Sequence, residues 1–279
     1  MRIGQVTEIW RHPVKSMQGE RLKKAQIVPH YGIPGDRGWA LHNEAGEIRG
    51  AKRINSLLQF HARYLEEPTE ASTPAVEITL PDGSQISSND STVSQIISAA
   101  VGQELTLCPR MSAEEHNWQA PNSSEAELRK MLDLEPGEPI PDYSNLMELA
   151  RDALPGTYFD AQPLSLLTTS SMRALSAFVP ESNIDSRRFR QNIIVETVPE
   201  LTGFCEFDWL GRQLKIGSLR ARITAPISRC VMTTLPQADL SQDRPILRTL
   251  VRETGMDFGI YMTIEEPGEI AEGDAIELY

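Results

Sequence analysis

Ser218–Pro236 reads SLRARITAPISRCVMTTLP, and its first half decides the fold. Leu219, Ala221 and Ile223 alternate with Arg220, Arg222 and Thr224. Successive strand residues point to opposite faces, so this is a strand with one apolar and one charged side. Pro226 lacks a backbone N–H and is expected to end the ladder. A turn through Ser228, Arg229 and Cys230 follows, and Val231–Thr234 is expected to return to extended chain. A thiol at the mouth of a strand pair, next to a guanidinium, is placed to ionise. A free cysteine is also among the residue types most often packed in cores, so local sequence leaves both roles open for Cys230.

The same period-two reading extends outward. Strands are expected over 3–10, 22–28, 39–42, 57–64, 76–80, 104–108, 163–167, 193–196, 213–216, 258–264 and 275–279, with turns between them rich in Gly, Pro, Asn and Asp. Residues 90–100 carry Val93, Ile96, Ile97 and Ala100 at helical spacing and stop at Gly102. Helices are also expected from Thr169 or Ser170 to Phe178, and from Pro245 to Thr254, whose Ile246, Leu247, Leu250 and Val251 share a face. Residues 111–154 are acidic and Pro-rich, and read as a connection with helical runs at 124–132 and 145–153. Many short strands and few helices predict a mainly β, barrel-like fold.

The 279 residues suffice for one large or two modest domains with a sizeable core. The net charge of -12 argues against nucleic-acid or anionic-membrane partners, which draw on clustered Lys and Arg. Cys108, Cys205 and Cys230 are far apart and unpaired by any CxxC spacing, so neither a disulfide framework, a zinc site nor a four-cysteine cluster is expected; Cys108 and Cys205 read as structural. No apolar run has signal-peptide length or approaches ~20 residues, and a cytoplasmic location is expected.

Beyond the opening stretch stand RFRQNI (Arg188–Ile193), CEFDWLG (Cys205–Gly211), FGIY (Phe258–Tyr261) and PGEIAEGDAIEL (Pro267–Leu278), preceded by PVKS (Pro13–Ser16) and GDR (Gly35–Arg37). In this order they resemble the MOSC domain, named after the C-terminal part of molybdenum-cofactor sulfurase, and above all the two-part MOSC proteins of the amidoxime-reducing type. The resemblance implies a β-barrel fold of two intimately packed β-rich regions: an N-terminal MOSC β-barrel region over 1–115 and a MOSC domain over 116–279. Residues 1–37 are then expected to line a cofactor site against the C-terminal barrel.

It also implies a molybdenum cofactor (Mo-molybdopterin) with Cys230 as metal ligand and catalytic residue, and contacts from Lys15, Ser16, Arg37, Arg190 and Asn192. Ser170, Arg188, Ser228, Arg229 and Tyr261 complete the expected set. A phosphate monoester is a dianion, which Arg forks, a Lys charge and hydroxyl or amide donors suit. MOSC domains carry a generic association with pyridoxal phosphate too, which does not enter the expectation here. Two departures stand out: Gln191 replaces the usual Pro of RFRPN, and Gly50-Ala51-Lys52 stands where relatives have Thr-Ala-Arg. Asp36 reads as holding its loop, and Glu206 with Asp208 as either a solvated turn or functional carboxylates.

The implied activity is reduction of small N-hydroxylated compounds to amines. Electrons would come from a separate donor of flavin-reductase or ferredoxin type, because the chain ends after the MOSC pattern and has no flavin or nicotinamide fingerprint. The alternative is a carrier of the cofactor, or of sulfur on it, without turnover.

Overall fold

The computed structural model describes residues 1–110, 124–140 and 157–279. The first segment holds β1 (Arg2–Arg11), β2 (Glu20–Leu22), β3 (Lys24–Ile27), β4 (Trp39–His42), β5 (Ile48–Arg49), β6 (His61–Tyr64), β7 (Val76–Thr79), β8 (Gln85–Ser87), helix α1 (Val93–Val101) and β9 (Thr106–Pro109). Helix α2 (Glu125–Met131) follows, opened by a capping box between Ser124 and Glu127. The last segment holds β10 (Leu164–Thr168), α3 (Thr169–Phe178), β11 (Ile193–Thr197), β12 (Gln213–Ile216), β13 (Leu219–Ser228), α4 (Arg244–Thr254), β14 (Asp257–Glu266), β15 (Gly268–Ala271) and β16 (Ala275–Leu278). The fold is mainly β, as the alternation predicts. The helical run expected at 145–153 lies outside the described residues.

Seven strands close into a barrel in the order β1, β11, β10, β14, β13, β12, β16 and back to β1. β10 and β11 run parallel, joined by the crossover helix α3; the other barrel pairs are antiparallel. Alternate residues fill the interior: Ile3, Val6 and Ile9 from β1, Leu219, Ala221 and Ile223 from β13, Ile260 and Met262 from β14. Each fully buried Leu, Ile or Val contributes ~1.5–3 kcal/mol. Outside the barrel, Leu175 of α3 and Ile246 and Leu250 of α4 pack on Phe189, Ile194 and Phe258. A second core, around Leu41, Leu57, Phe60, Val76, Ile78 and Ile97, belongs to the small sheets β4–β5–β9 and β6–β7–β8.

Hydrogen bonding cuts across chain order at the N-terminus. β1 is a barrel strand, β2 extends it, and β3 pairs with β15. Yet Val14 and Met17, just after β1, lie in the second core. The loop 12–19 is thus held by both cores, which fixes Lys15 and Ser16 at the seam.

Three local expectations are corrected. β13 runs through Pro226 to Ser228, because Pro226 lies beyond the last residue paired with β12 and its missing N–H costs no bond on that side. Val231–Thr234 forms a 3-10 turn, since the backbone N–H and Oγ1 of Thr233 both bond the Cys230 carbonyl at 3.1 Å. Leu57 and Leu58 lie in another such turn, Asn55–Gln59, and are buried in the second core; the strand begins only at His61. Short apolar runs do not separate these conformations.

Candidate functional site

Cys230 opens the Val231–Thr234 turn with extended backbone and is half-buried. Its neighbour Arg229 is buried and turned onto main chain: Nε and Nη2 donate to the Phe258 carbonyl, and Nη1 to the Phe189 carbonyl at 2.8 Å. Gly259 makes room for this, because a Cβ there, at φ 81°, would meet the Leu166 carbonyl at 2.9 Å and Arg229 Nη2 at 3.3 Å. Ser228 Oγ donates to Asp257 at 2.7 Å. Both residues therefore brace the turn that presents the thiol, and burial pushes the Arg229 guanidinium down to about 10.

The segment Gly50-Ala51-Lys52 reaches the thiol from the second core. The Ala51 N–H donates to Ser16 Oγ at 2.9 Å, and a Cβ on Gly50 would lie only 2.8 Å from that oxygen. Lys52 is thereby placed within electrostatic reach of Cys230 and Tyr261, and the Cys230 sulfur is the main influence raising the Lys52 ammonium above the ordinary lysine range. Lys15 Nζ donates to the Tyr158 carbonyl at 2.7 Å and to Asp160 Oδ1 at 3.0 Å. Burial pulls the Lys15 ammonium down against the pull of Asp160. Asp160 is exposed at its outer side, and although crowding by protein works to raise its carboxyl, Lys15, Lys52 and Arg37 together hold it below the usual carboxylate range. Tyr261, raised by burial, feels Asp160, Arg229, Arg37 and Lys52.

Asp36 is the hub of the third contribution. Its fully buried carboxylate accepts the His12 N–H at 2.7 Å, Asn192 Nδ2 at 2.8 Å and Arg37 Nη1. Arg37 Nη2 also donates to the Arg190 carbonyl at 3.2 Å, and Arg190 Nη1 to the Met17 carbonyl. Burial, with Arg37 adding, lowers the Arg190 guanidinium to about 9. His12 is pushed to about 3 by burial and then by Arg190, so it is neutral. Asn192 Oδ1 accepts from the N–H and Oγ of Ser165, which ties this hub to β10. Of the six non-glycine residues at positive φ among the described residues, three are here: Ser16 (70°), Arg37 (50°) and Arg190 (55°). Such backbone costs of order 1–3 kcal/mol each and clusters at functional sites.

Lys15, Ser16, Arg37, Arg190, Asn192, Tyr261 and Cys230 thus fall in one connected neighbourhood, although they come from widely separated segments. Ser170 and Arg188 point elsewhere. Ser170 Oγ donates to the Leu201 and Gly203 carbonyls, and Arg188 to those of Asn183 and Ser241. Sequence reading missed Lys52 as a site residue, and Asp160 entirely. The GAK segment was visible only as a departure, and nothing in FDAQP marks a carboxylate that meets Lys15.

Glu206 is no solvated turn. It is fully buried, accepts Thr168 Oγ1 at 2.8 Å and Ser171 Oγ at 2.5 Å, and leaves Oε1 unpaired. Burial raises its carboxyl. The unfolded chain therefore releases this proton at lower pH than the folded one, and folding loses stability as pH rises from about 4.3 to the folded value. Glu206→Gln is expected to remove that slope: urea midpoints at pH 4.5 and pH 8 should differ less in the variant than in the wild type.

Comparison with known proteins agrees with this architecture. Residues 3–113 match the MOSC N-terminal beta barrel domain and residues 153–277 the MOSC domain. Mitochondrial amidoxime-reducing component 1 of Mus musculus is 22% identical over 293 residues, covering 99% of this chain and 83% of that protein. Its Xenopus laevis counterpart is 25% identical over 298 residues, covering 99% and 82%. Molybdenum cofactor sulfurase 2 of Culex quinquefasciatus is 35% identical over 111 residues, which is 35% of this chain and 14% of that protein. The chain is a MOSC protein, a MOSC N-terminal beta barrel domain followed by a MOSC domain.

Proposed function

We propose that the protein is a molybdenum-cofactor-dependent reductase of N-hydroxylated compounds, taking electrons from a separate flavin-reductase or ferredoxin-type partner. One observation carries the reading. The half-buried Cys230 thiol is within electrostatic reach of Lys52 and Arg229, and Asp160 links Lys52 to Lys15, Arg37 and Arg190, so that five cations stand against the three carboxylates Asp36, Asp160 and Asp257. A local excess of positive charge in a chain of net charge -12 suits a dianion. A metal held by Cys230 would take its further ligands from an organic cofactor.

The donor set fits such a group. Cys230 would supply the protein thiolate, a soft ligand. Lys15, Arg37 and Arg190 would take the phosphate, with Ser16 and Asn192 holding their loops in place. When bound, the cofactor supplies the two-electron chemistry by which an N–OH compound, two electrons and two protons become an amine and water. Lys52 would stabilise the negative charge of the thiolate. Tyr261, kept protonated by burial, offers an O–H donor on the same side of the site.

The similarity to a molybdenum cofactor sulfurase favours a second reading, a carrier that holds the cofactor without turnover. The two are separated with protein from a cofactor-competent host, given an artificial reductant and an N-hydroxylated purine. The expected result is amine formation by the wild type and none by Cys230→Ser. Cofactor-loaded wild type without turnover would support the carrier instead.

A further inference from the structure

Two carboxylates stand among the cations Lys15, Arg37 and Arg190, and the chain holds them in opposite ways. Asp36 is fully buried and accepts from His12, Asn192 and Arg37, so it belongs to the fold. The Asp160 side chain is 60% exposed, and among the described residues its one hydrogen bond is the 3.0 Å bond that Oδ1 accepts from Lys15 Nζ. The backbone before it is anchored. Tyr158 and Phe159 are buried, the Tyr158 carbonyl accepts the Lys15 ammonium at 2.7 Å, and the Arg37 guanidinium lies 5.9 Å from the centre of the Phe159 ring. Asp160 is thus a singly bonded, water-reached carboxylate on a fixed stretch of chain.

We infer that Asp160 is the exchangeable counter-ion of the site: its carboxylate holds Lys15 while no phosphate is bound, and gives Lys15 up when a phosphate monoester enters. The inference rests on the reading that Lys15 and Arg37 take a phosphate, and it adds the group that this phosphate must displace. Lys15, Lys52, Arg37 and Arg190 are all within electrostatic reach of Asp160. Set against Asp36 and Asp160, these four cations leave two positive charges over, which one dianion balances.

A phosphate oxygen arriving at Lys15 either shares the ammonium with Asp160 or replaces it. Sharing sets a carboxylate and a phosphate side by side, a repulsion that grows with the charge of the ligand. Replacement breaks one ion pair whose carboxylate is more than half exposed, and such pairs are weak. Replacement therefore costs less. Lys15 keeps its bond to the Tyr158 carbonyl throughout, so the ammonium stays in position while its counter-ion changes. By either route Asp160 opposes the ligand, and removing its charge must tighten binding.

The probe is phenyl phosphate, titrated calorimetrically at pH 7 and fixed ionic strength into the full chain made in a host without the cofactor. A phosphate monoester then carries about -1.5 to -2 charges. The wild type should bind it saturably, and Asp160→Asn about tenfold more tightly. Asp160→Glu restores the carboxylate and should return towards the wild-type affinity. Asp208→Asn removes a charge from the exposed side of the Cys205–Trp209 turn and should bind like the wild type. A gain in affinity cannot come from misfolding. Equal or weaker binding by Asp160→Asn, with binding lost in Lys15→Met, overturns the inference and leaves the phosphate site standing. Binding that survives Lys15→Met, or no binding by the wild type, overturns both. Should Asp160→Asn fold poorly, a wild-type crystal soaked with the probe decides: a phosphate oxygen in place of Asp160 on Lys15 is expected, and Asp160 still bonded to Lys15 beside bound phosphate refutes the exchange.

Discussion

Asp36→Ala is expected to cost about 3–5 kcal/mol of stability, because it removes the anion from a buried charge network. The His12 N–H, Asn192 Nδ2 and the Arg37 guanidinium would all lose their acceptor together, and Arg37 is only 14% exposed. Urea denaturation at pH 7 measures the loss. Asp36→Asn keeps an oxygen for the His12 N–H and should lose less. Burial works to raise the Asp36 carboxyl, but Arg37 and His12 hold it well below the usual range. Its contribution is therefore fully present above the unfolded value of about 3.9 and fades as pH falls below it. The stability gap between wild type and Asp36→Asn should be level from pH 5 to pH 8 and narrow below pH 4. A gap that widens on acidification would contradict the charge network.

The combined variant Lys15→Ala with Arg37→Ala should lose nearly all bound pterin. Each side chain would give a charge-assisted bond to a phosphate, worth about 1.5–3 kcal/mol, so the pair accounts for roughly a 10²- to 10⁴-fold change in affinity. Pterin content after oxidation to its fluorescent form reads this directly, and the loss from the single variants should grow with added salt. Ser170→Ala provides the contrast. Its hydroxyl is spent on the Leu201 and Gly203 carbonyls, so pterin content should stay at the wild-type level. If Ser170→Ala emptied the protein while the double variant stayed loaded, the phosphate contacts argued here would be misassigned.

The β barrel was legible because its strands carry the period of their burial. Leu219, Ala221 and Ile223 alternate in sequence and meet inside the barrel. What periodicity could not supply was conformation set by a single partner. Val231–Thr234 is as apolar as a strand, but Thr233 bonds the Cys230 carbonyl twice and winds the chain. Pro226 looked like an end because its neighbours across the sheet cannot be read from its own strand.

For the site, residue types were readable and orientations were not. Arg229 sits beside Cys230 in sequence, yet the carbonyls of Phe189 and Phe258, both distant in the chain, capture its guanidinium. Lys52 and Asp160 enter through long-range packing: Ser16 pins the backbone before Lys52, and Lys15 holds Asp160. Neither contact has a local signature.

The most direct test of the whole account is the molybdenum and pterin content of freshly purified protein from a cofactor-competent host, compared with Cys230→Ser. The wild type is expected to hold near-stoichiometric molybdenum. The variant should fall to background and melt like the cofactor-free wild type, since the half-buried thiol is unbridged and the loaded wild type gains stability only through the bound cofactor. Equal molybdenum in the two proteins, whether high or negligible, would contradict the assignment of Cys230 as the ligand.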